Sequence, residues 1–331
     1  MSLHNKSTSK PWLSSGNINQ ERASSSNSRP KRTDKENVQG DNWDKIGLNE
    51  ILKGNHRSLF NKKSRFQKIQ ILEANDLRMY LNSQLQFSSL DERIYHEAIV
   101  HPLFTAASSH ERVLILGGGD GLALREVLKY KGVKHVDLVD LDSMVLDAAK
   151  HVQNLAALNQ YSLHDLRVNV HPQDAVLFLR SQRAPYDVII VDFPDPTGRI
   201  ISDLYTTEFY SLLKSSLKTD GVFVCQSNSP EETPIVFWSI GKTIESAGFQ
   251  TLSYHITVPS FGDWGFHIGS KAPKSLAGKK VPVSNSTLPA NLKELTEFPR
   301  SVTAQKHRSI VNTKRNSKLH QIYQKESLYL E

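Results

Sequence analysis

The sequence predicts an α/β protein: a doubly wound parallel sheet, preceded by a small antiparallel β domain and a disordered N-terminal tail. Three observations carry that reading. From Arg112 to Ser270, short apolar runs alternate with helical patterns, as in a strand–helix–strand chain. Residues 65–90 instead alternate apolar and polar side chains between turn-formers. Residues 1–60 are rich in Ser, Asn, Lys and Arg and have few spaced apolar positions, the composition of a solvated basic tail.

Each element can be justified in order. RFQKIQILEANDLRMYLNSQLQFSSL reads as short antiparallel strands turning at Ala74-Asn75-Asp76 and at Asn82-Ser83. DERIYHEAIVHPLF reads as a helix with Asp91 as N-cap and Ile94, Ala98 and Ile99 on one face, and His101 as a helix-end residue. RVLILGGGDG is a strand and glycine loop, LALREVLKY a helix, HVDLVDLD a strand, SMVLDAAKHV a helix, and LRVNVHPQDAVLFLR strand, loop and helix. YDVIIVD is an apolar strand ending in an acid, and TEFYSLLKSSLKTDG a helix closed by Gly221. GVFVCQSNS is a strand, TPIVFWSIGKTIESAGF a helix, and TLSYHITV with WGFHIGS a closing strand pair. The body, residues 91–270, is therefore Rossmann-like, and residues 271–331 form a basic, partly helical extension.

Bulk properties narrow the function. The chain has 331 residues, 38% hydrophobic content and a mean hydropathy of −0.43, so part of it is expected to lack a packed core. The single cysteine, Cys225, excludes an intrachain disulfide and fits a reducing compartment. No apolar run approaches the roughly 18 residues of a membrane span, so the expectation is a cytoplasmic protein. The net charge of +7 resides in the tails: residues 65–270 carry 17 basic and 24 acidic side chains. Such a body attracts cations and repels phosphate backbones, which argues against a nucleic-acid partner. No His/Cys cluster has the spacing of a metal site, and none is expected.

Ligands of a doubly wound sheet sit outside the strand carboxyl ends. The sequence places Gly117–Asp120, Asp140, Asp174-Ala175 and Asp192–Asp195 there. The glycines let a ligand approach the backbone, and Asp140, 23 residues after Gly117, can accept both ribose hydroxyls. Asp174-Ala175 would meet an adenine edge. Asp120 stands where a helix N-terminus would otherwise receive pyrophosphate. Its charge repels phosphate and the carboxylate of S-adenosylmethionine alike, but would hold an adenosyl ligand ending in an ammonium. Decarboxylated S-adenosylmethionine is such a molecule.

RVLILGGGDGLALREVLKY, VDLVDLD, YDVIIVDFPDPTG, LYTTEFYSLLKSSLKTDGVFVCQSNSP and FGDWGFHIGSK together resemble the polyamine aminopropyltransferases, the spermidine synthase family. The DFPDP form is most similar to a bacterial branch that often carries N-terminal membrane helices, where this chain has a basic tail. The resemblance implies transfer of a 3-aminopropyl group from decarboxylated S-adenosylmethionine, a co-substrate rather than a cofactor, to putrescine or a similar amine. It implies a dimer or tetramer. It places Gly117, Gly119 and Asp120 at the donor, with Asp120 on the aminopropyl ammonium, Asp140 on the ribose, Asp174 and Ala175 at the adenine, and Gln67 on the nucleoside side. Tyr95 and His96 would line the aminopropyl pocket on the amine side.

The amine's pKa, near 10, leaves it without a lone pair at neutral pH. Asp192 is the candidate to take its proton, and Asp195 the candidate anchor, carried round by Phe193-Pro194. Trp264 reads equally as core or as pocket wall, and Gln226 as a residue that hydrogen-bonds a loop. The family's usual Ser-Ser is replaced by Phe193-Pro194, its Glu by Asp140, its Asp-Gly by Asn82-Ser83, and two pocket tyrosines by Asn75 and Phe261. The acceptor half is therefore the altered half, and spermidine, agmatine and cadaverine stay open beside putrescine. The alternatives are a methyltransferase using S-adenosylmethionine, disfavoured by Asp120 and the Asp192/Asp195 pair, and a non-catalytic polyamine- or nucleic-acid-binding protein.

Overall fold

The computed structural model describes residues 42–327. The basic run SRPKRTDK and the rest of residues 1–41 lie outside the described residues.

The described chain opens with helix α1 (Asn42–Lys53) and strand β1 (Arg57–Lys63), in a stretch expected from composition to be disordered. The correction has a physical cause. A few apolar side chains suffice when a sheet is there to receive them: Leu48 and Ile51 of α1 pack on Leu72, Tyr80 and Leu85. The Asp44 carboxylate accepts the Leu85 amide at 2.9 Å. Strand β1 then pairs antiparallel with β2 (Lys68–Glu73), and β3 (Leu77–Leu81) and β4 (Gln84–Ser88) complete a four-stranded sheet in chain order. The β2–β3 and β3–β4 turns fall at Ala74–Asp76 and Asn82-Ser83, the latter pair at positive φ.

Helix α2 (Glu92–Ala106) joins this sheet to the larger one. Asp91 does not cap it with its side chain; the carboxylate instead accepts from the Ser260 amide and hydroxyl, at 2.7 and 2.9 Å. His101 is not at the helix end but inside the helix, which runs on through Pro102. Proline has no amide to offer the carbonyl four residues back. The Tyr254 hydroxyl donates to that Ala98 carbonyl at 2.8 Å.

The second sheet has seven strands in the order β10-β11-β9-β8-β5-β6-β7. Strands β5 (Arg112–Gly117), β6 (His135–Asp140), β7 (Val168–Pro172), β8 (Tyr186–Asp192) and β9 (Leu217–Gln226) are parallel; β10 (Gln250–Val258) and β11 (Gly262–Ser270) are antiparallel. Side chains alternate between its faces. Val113, Ile115, Val188 and Ile190 enter one core with α2 and the small sheet, while Leu114, Leu116, Ile189 and Val191 enter the other. The small sheet thus shares a continuous core with the larger one. The connecting helices are α3 (Leu122–Leu128), α4 (Ser143–His151), α5 (Gln153–Leu158), α6 (Ala175–Ser181), α7 (Arg199–Ser202), α8 (Thr207–Ser216) and α9 (Pro234–Ser246). Gly221 does not close α8; it lies inside β9, where a Cβ would stand 3.0 Å from the Tyr186 carbonyl oxygen. It permits the irregular pairing of β9 with β8. The C-terminal extension contains α10 (Arg300–Thr303) and α11 (Leu319–Ser327).

The chain leaves β5 towards β6 and β7 on one side and β8 and β9 on the other, so the switch point lies between β5 and β8. Their register pairs Gly117 with Asp192, which sets the glycine loop beside the acidic strand end.

Candidate active site

A cavity of about 1350 Å³ opens at this switch point, between the carboxyl ends of the parallel strands and the small sheet. Gln67, Tyr95, His96, Gly117, Gly119, Asp120, Asp140, Asp174, Ala175, Asp192 and Asp195 all line it. Gln226, Phe261 and Trp264 line it too, while Asn75 sits in the β2–β3 turn and does not.

The glycine loop lies so close to the neighbouring acids that it leaves no room for side chains at Gly117 and Gly119. Gly117 has φ +83°, and a Cβ on it would meet the Asp192 carbonyl oxygen at 2.1 Å. A Cβ on Gly119 would meet Asp140 Oδ2 at 2.6 Å. That oxygen instead accepts the Gly119 amide at 3.1 Å, and Oδ1 accepts the Asp142 amide at 2.9 Å. Burial outweighs these bonds and, with the charge of Asp120, pushes the Asp140 carboxyl up to about 6. The Asp120 carboxylate accepts the Leu122 amide at 2.8 Å and also faces the cavity. Asp142, which the sequence reading passed over, accepts from Ser64 Oγ at 2.6 Å and Gln67 Nε2 at 3.1 Å, so it ties the small sheet to the start of α4. Asp174 accepts the Leu177 amide at 2.9 Å and caps α6 from the cavity rim.

Asp192 lies at the centre. The Tyr95 hydroxyl donates to its Oδ1 at 2.5 Å. Burial pushes its carboxyl up to about 6, with Asp120 adding to the shift and the Tyr95 hydroxyl and His96 opposing it. His96 Nδ1 donates to the Glu92 carboxylate at 2.8 Å, and Glu92 is gripped by Arg125 through two contacts of 2.8 and 2.9 Å. Burial opposes charge on the His96 ring, but Glu92 outweighs it and raises the pKa. The loop after Asp192 is fixed by its carbonyls. Gln226 Nε2 donates to the Phe193 carbonyl at 2.5 Å, and the Tyr205 hydroxyl to that of Pro194 at 2.9 Å. Gln226 thus supports the loop that presents Asp195, whose Oδ1 is 3.4 Å from the same amide.

Another cluster arises only in three dimensions. Glu97, His101 and Glu126 converge in the core, although their sequence spacing gave no metal signature. Each acid is already engaged by the protein: Ser286 and Thr287 donate to Glu97, Arg125 Nε donates to Glu126 at 2.9 Å, and His101 Nε2 and Lys129 Nζ stand 3.0 and 2.5 Å from its other oxygen.

Chemically, the cavity is an acid-lined slot with one end over β5–β7 and a second end over β8, β9 and β11. Residues 92–280 match the family model "Spermine/spermidine synthase domain". The chain is 51% identical over 290 residues to "Polyamine aminopropyltransferase 2" of Bacillus cereus, which covers 86% of this chain and 79% of that protein. It superposes on a spermidine synthase from Thermotoga maritima with a TM-score of 0.66 and 26% identity, covering 76% of this chain and 88% of that one. A further spermidine synthase structure, in complex with the transition-state analogue AdoDATO, gives a TM-score of 0.65 at 26% identity over the same shares. The chain belongs to the spermine/spermidine synthase family, and it is an enzyme of the polyamine aminopropyltransferase type. Among the described residues no helix is long and apolar enough to cross a membrane.

Proposed function

We propose that the chain transfers the 3-aminopropyl group of decarboxylated S-adenosylmethionine to a diamine, with putrescine as the acceptor and spermidine and 5′-methylthioadenosine as products. The observation that carries this reading is one cavity in which Asp120, Asp140, Asp192 and Asp195 converge on a glycine loop. Four carboxylates in one slot suit two cationic substrates and no phosphate.

In this reading Asp140 receives the ribose hydroxyls, Asp174 and Ala175 border the adenine, and Gln67 closes the nucleoside side. Asp120 holds the aminopropyl ammonium. Asp195 anchors the amine, while Tyr95 and His96 wall the space where amine and aminopropyl group meet. Asp192 takes a proton from the attacking ammonium, leaving a neutral amine. Its nitrogen lone pair forms a bond to the methylene next to sulfur as the C–S bond breaks. The bonding pair leaves with sulfur, so the sulfonium becomes a neutral thioether and the positive charge passes to the new secondary ammonium. The proton on Asp192 returns to solvent. A carboxyl near 6 is a stronger base than an ordinary aspartate, yet still ionised at pH 7. No cofactor or metal has a step in this scheme. A homo-oligomer remains part of the proposal on family resemblance.

The test is a panel of putrescine, cadaverine, agmatine and spermidine with the purified chain and decarboxylated S-adenosylmethionine. Putrescine is expected to have the highest kcat/KM. A tenfold preference for another amine would move the acceptor assignment and leave the transfer chemistry in place.

A further inference from the structure

We infer that Thr197 and Asp203 form a subsite for the distal ammonium of the acceptor, roofed by α11 of the C-terminal extension. The inference rests on the aminopropyl-transfer reading and deepens it. Both residues line the cavity on the segment that leaves Asp195, Thr197 just before α7 and Asp203 just after it. Thr197 Oγ1 and Asp203 Oδ1 are buried, and neither has a hydrogen-bond partner among the described residues. A buried, unpartnered carboxylate oxygen costs free energy unless a ligand meets it. An ammonium with three N–H donors is the ligand that satisfies an acid and a hydroxyl together.

The position is the acceptor end. The nucleoside end lies over β5, β6 and β7, whereas this loop follows β8 and packs towards β9. The roof comes from beyond the matched family domain, which ends at residue 280: Tyr323, Gln324 and Ser327 line the same cavity. It is fastened to the loop and to α9. Gln324 Nε2 donates to the Thr197 carbonyl at 3.3 Å, and the Glu326 carboxylate accepts the Ile235 and Val236 amides at 3.0 and 2.9 Å. Buried Asn312 donates to the Ser202 and Tyr205 carbonyls at 3.0 and 3.1 Å, which pins the extension on both sides of Asp203. A subsite fixed this way reads charge at a set distance from Asp192. It would therefore distinguish a diamine from a monoamine of the same chain length.

The experiment compares Asp203→Asn and Thr197→Val with the parent chain. Initial rates are measured against 1,4-diaminobutane and against 1-aminobutane, which lacks the distal ammonium. Calorimetry measures direct binding of the diamine, and thermal denaturation checks that both variants fold. Asp203→Asn is expected to raise the diamine KM about tenfold or more, to weaken its calorimetric binding equally, and to leave the donor KM and the monoamine rate unchanged; Thr197→Val should do the same to a smaller degree. Equal losses for both amines, or a diamine KM that does not move, would overturn the subsite. If no variant turns over any amine but Asp203→Asn still abolishes diamine binding, the transfer reading fails and the subsite stands.

Discussion

Asp192 owes its chemistry to its surroundings. Burial lifts its carboxyl to about 6 while the Tyr95 hydroxyl, 2.5 Å away, pulls the other way. In the proposed mechanism, a carboxyl protonated below about pH 6 cannot accept the amine's proton. With donor saturating, so that Asp140 is covered, kcat/KM for the amine is expected to fall as pH drops through 6. Removing the tyrosine hydroxyl in Tyr95→Phe should move that acid limb upward; an unmoved limb would assign it to another group. Asp192→Asn should lower turnover by about 10² or more, with partial rescue at high pH, where more amine arrives neutral. Asp120→Asn isolates charge from shape, because an asparagine oxygen can still accept the Leu122 amide. It should weaken decarboxylated S-adenosylmethionine strongly and 5′-methylthioadenosine little, as equilibrium binding would show; equal losses would mean that Asp120 shapes the loop instead. These acids were legible in the sequence because each follows an apolar strand. Asp142 was not, because its partners Ser64 and Gln67 reach it from across the fold; Thr197 and Asp203, the proposed subsite, follow no strand pattern either.

Among the elements, the glycine loop, the parallel strands and both small-sheet turns could be read from local pattern, since each is dictated by neighbours in sequence. The elements misread are those whose partners are remote. Helix α1 needed the small sheet, and α2 passes through Pro102 because a tyrosine on β10 satisfies the freed carbonyl. Tyr254→Phe tests that account. It leaves the buried Ala98 carbonyl without its donor, so a destabilisation of about 1–3 kcal/mol is expected in denaturant unfolding. A loss within error would show that the helix closes over the proline without help. Gly221 likewise read as a helix terminator, when its small size serves the irregular pairing of β9 with β8.

At the scale of the whole molecule, the acidic side chains converge on one slot, and the segments flanking the matched domain complete its walls. Trp43 and Asp44 of α1 line the cavity, as do Tyr323 and Gln324 of α11. Deleting residues 2–41 keeps every described element, whereas deleting 2–63 also removes α1 and the edge strand β1. The longer deletion should melt at a lower temperature than the shorter one and bind donor less tightly; equal melting points would show that α1 and β1 add nothing to the fold. The central claim is the identity of the group transferred. Mass analysis of a reaction containing putrescine, decarboxylated S-adenosylmethionine and S-adenosylmethionine together tests it most directly. The account predicts spermidine and 5′-methylthioadenosine in equal amounts, with S-adenosylmethionine unconsumed. Methylated putrescine with S-adenosylhomocysteine, and no spermidine, would contradict it.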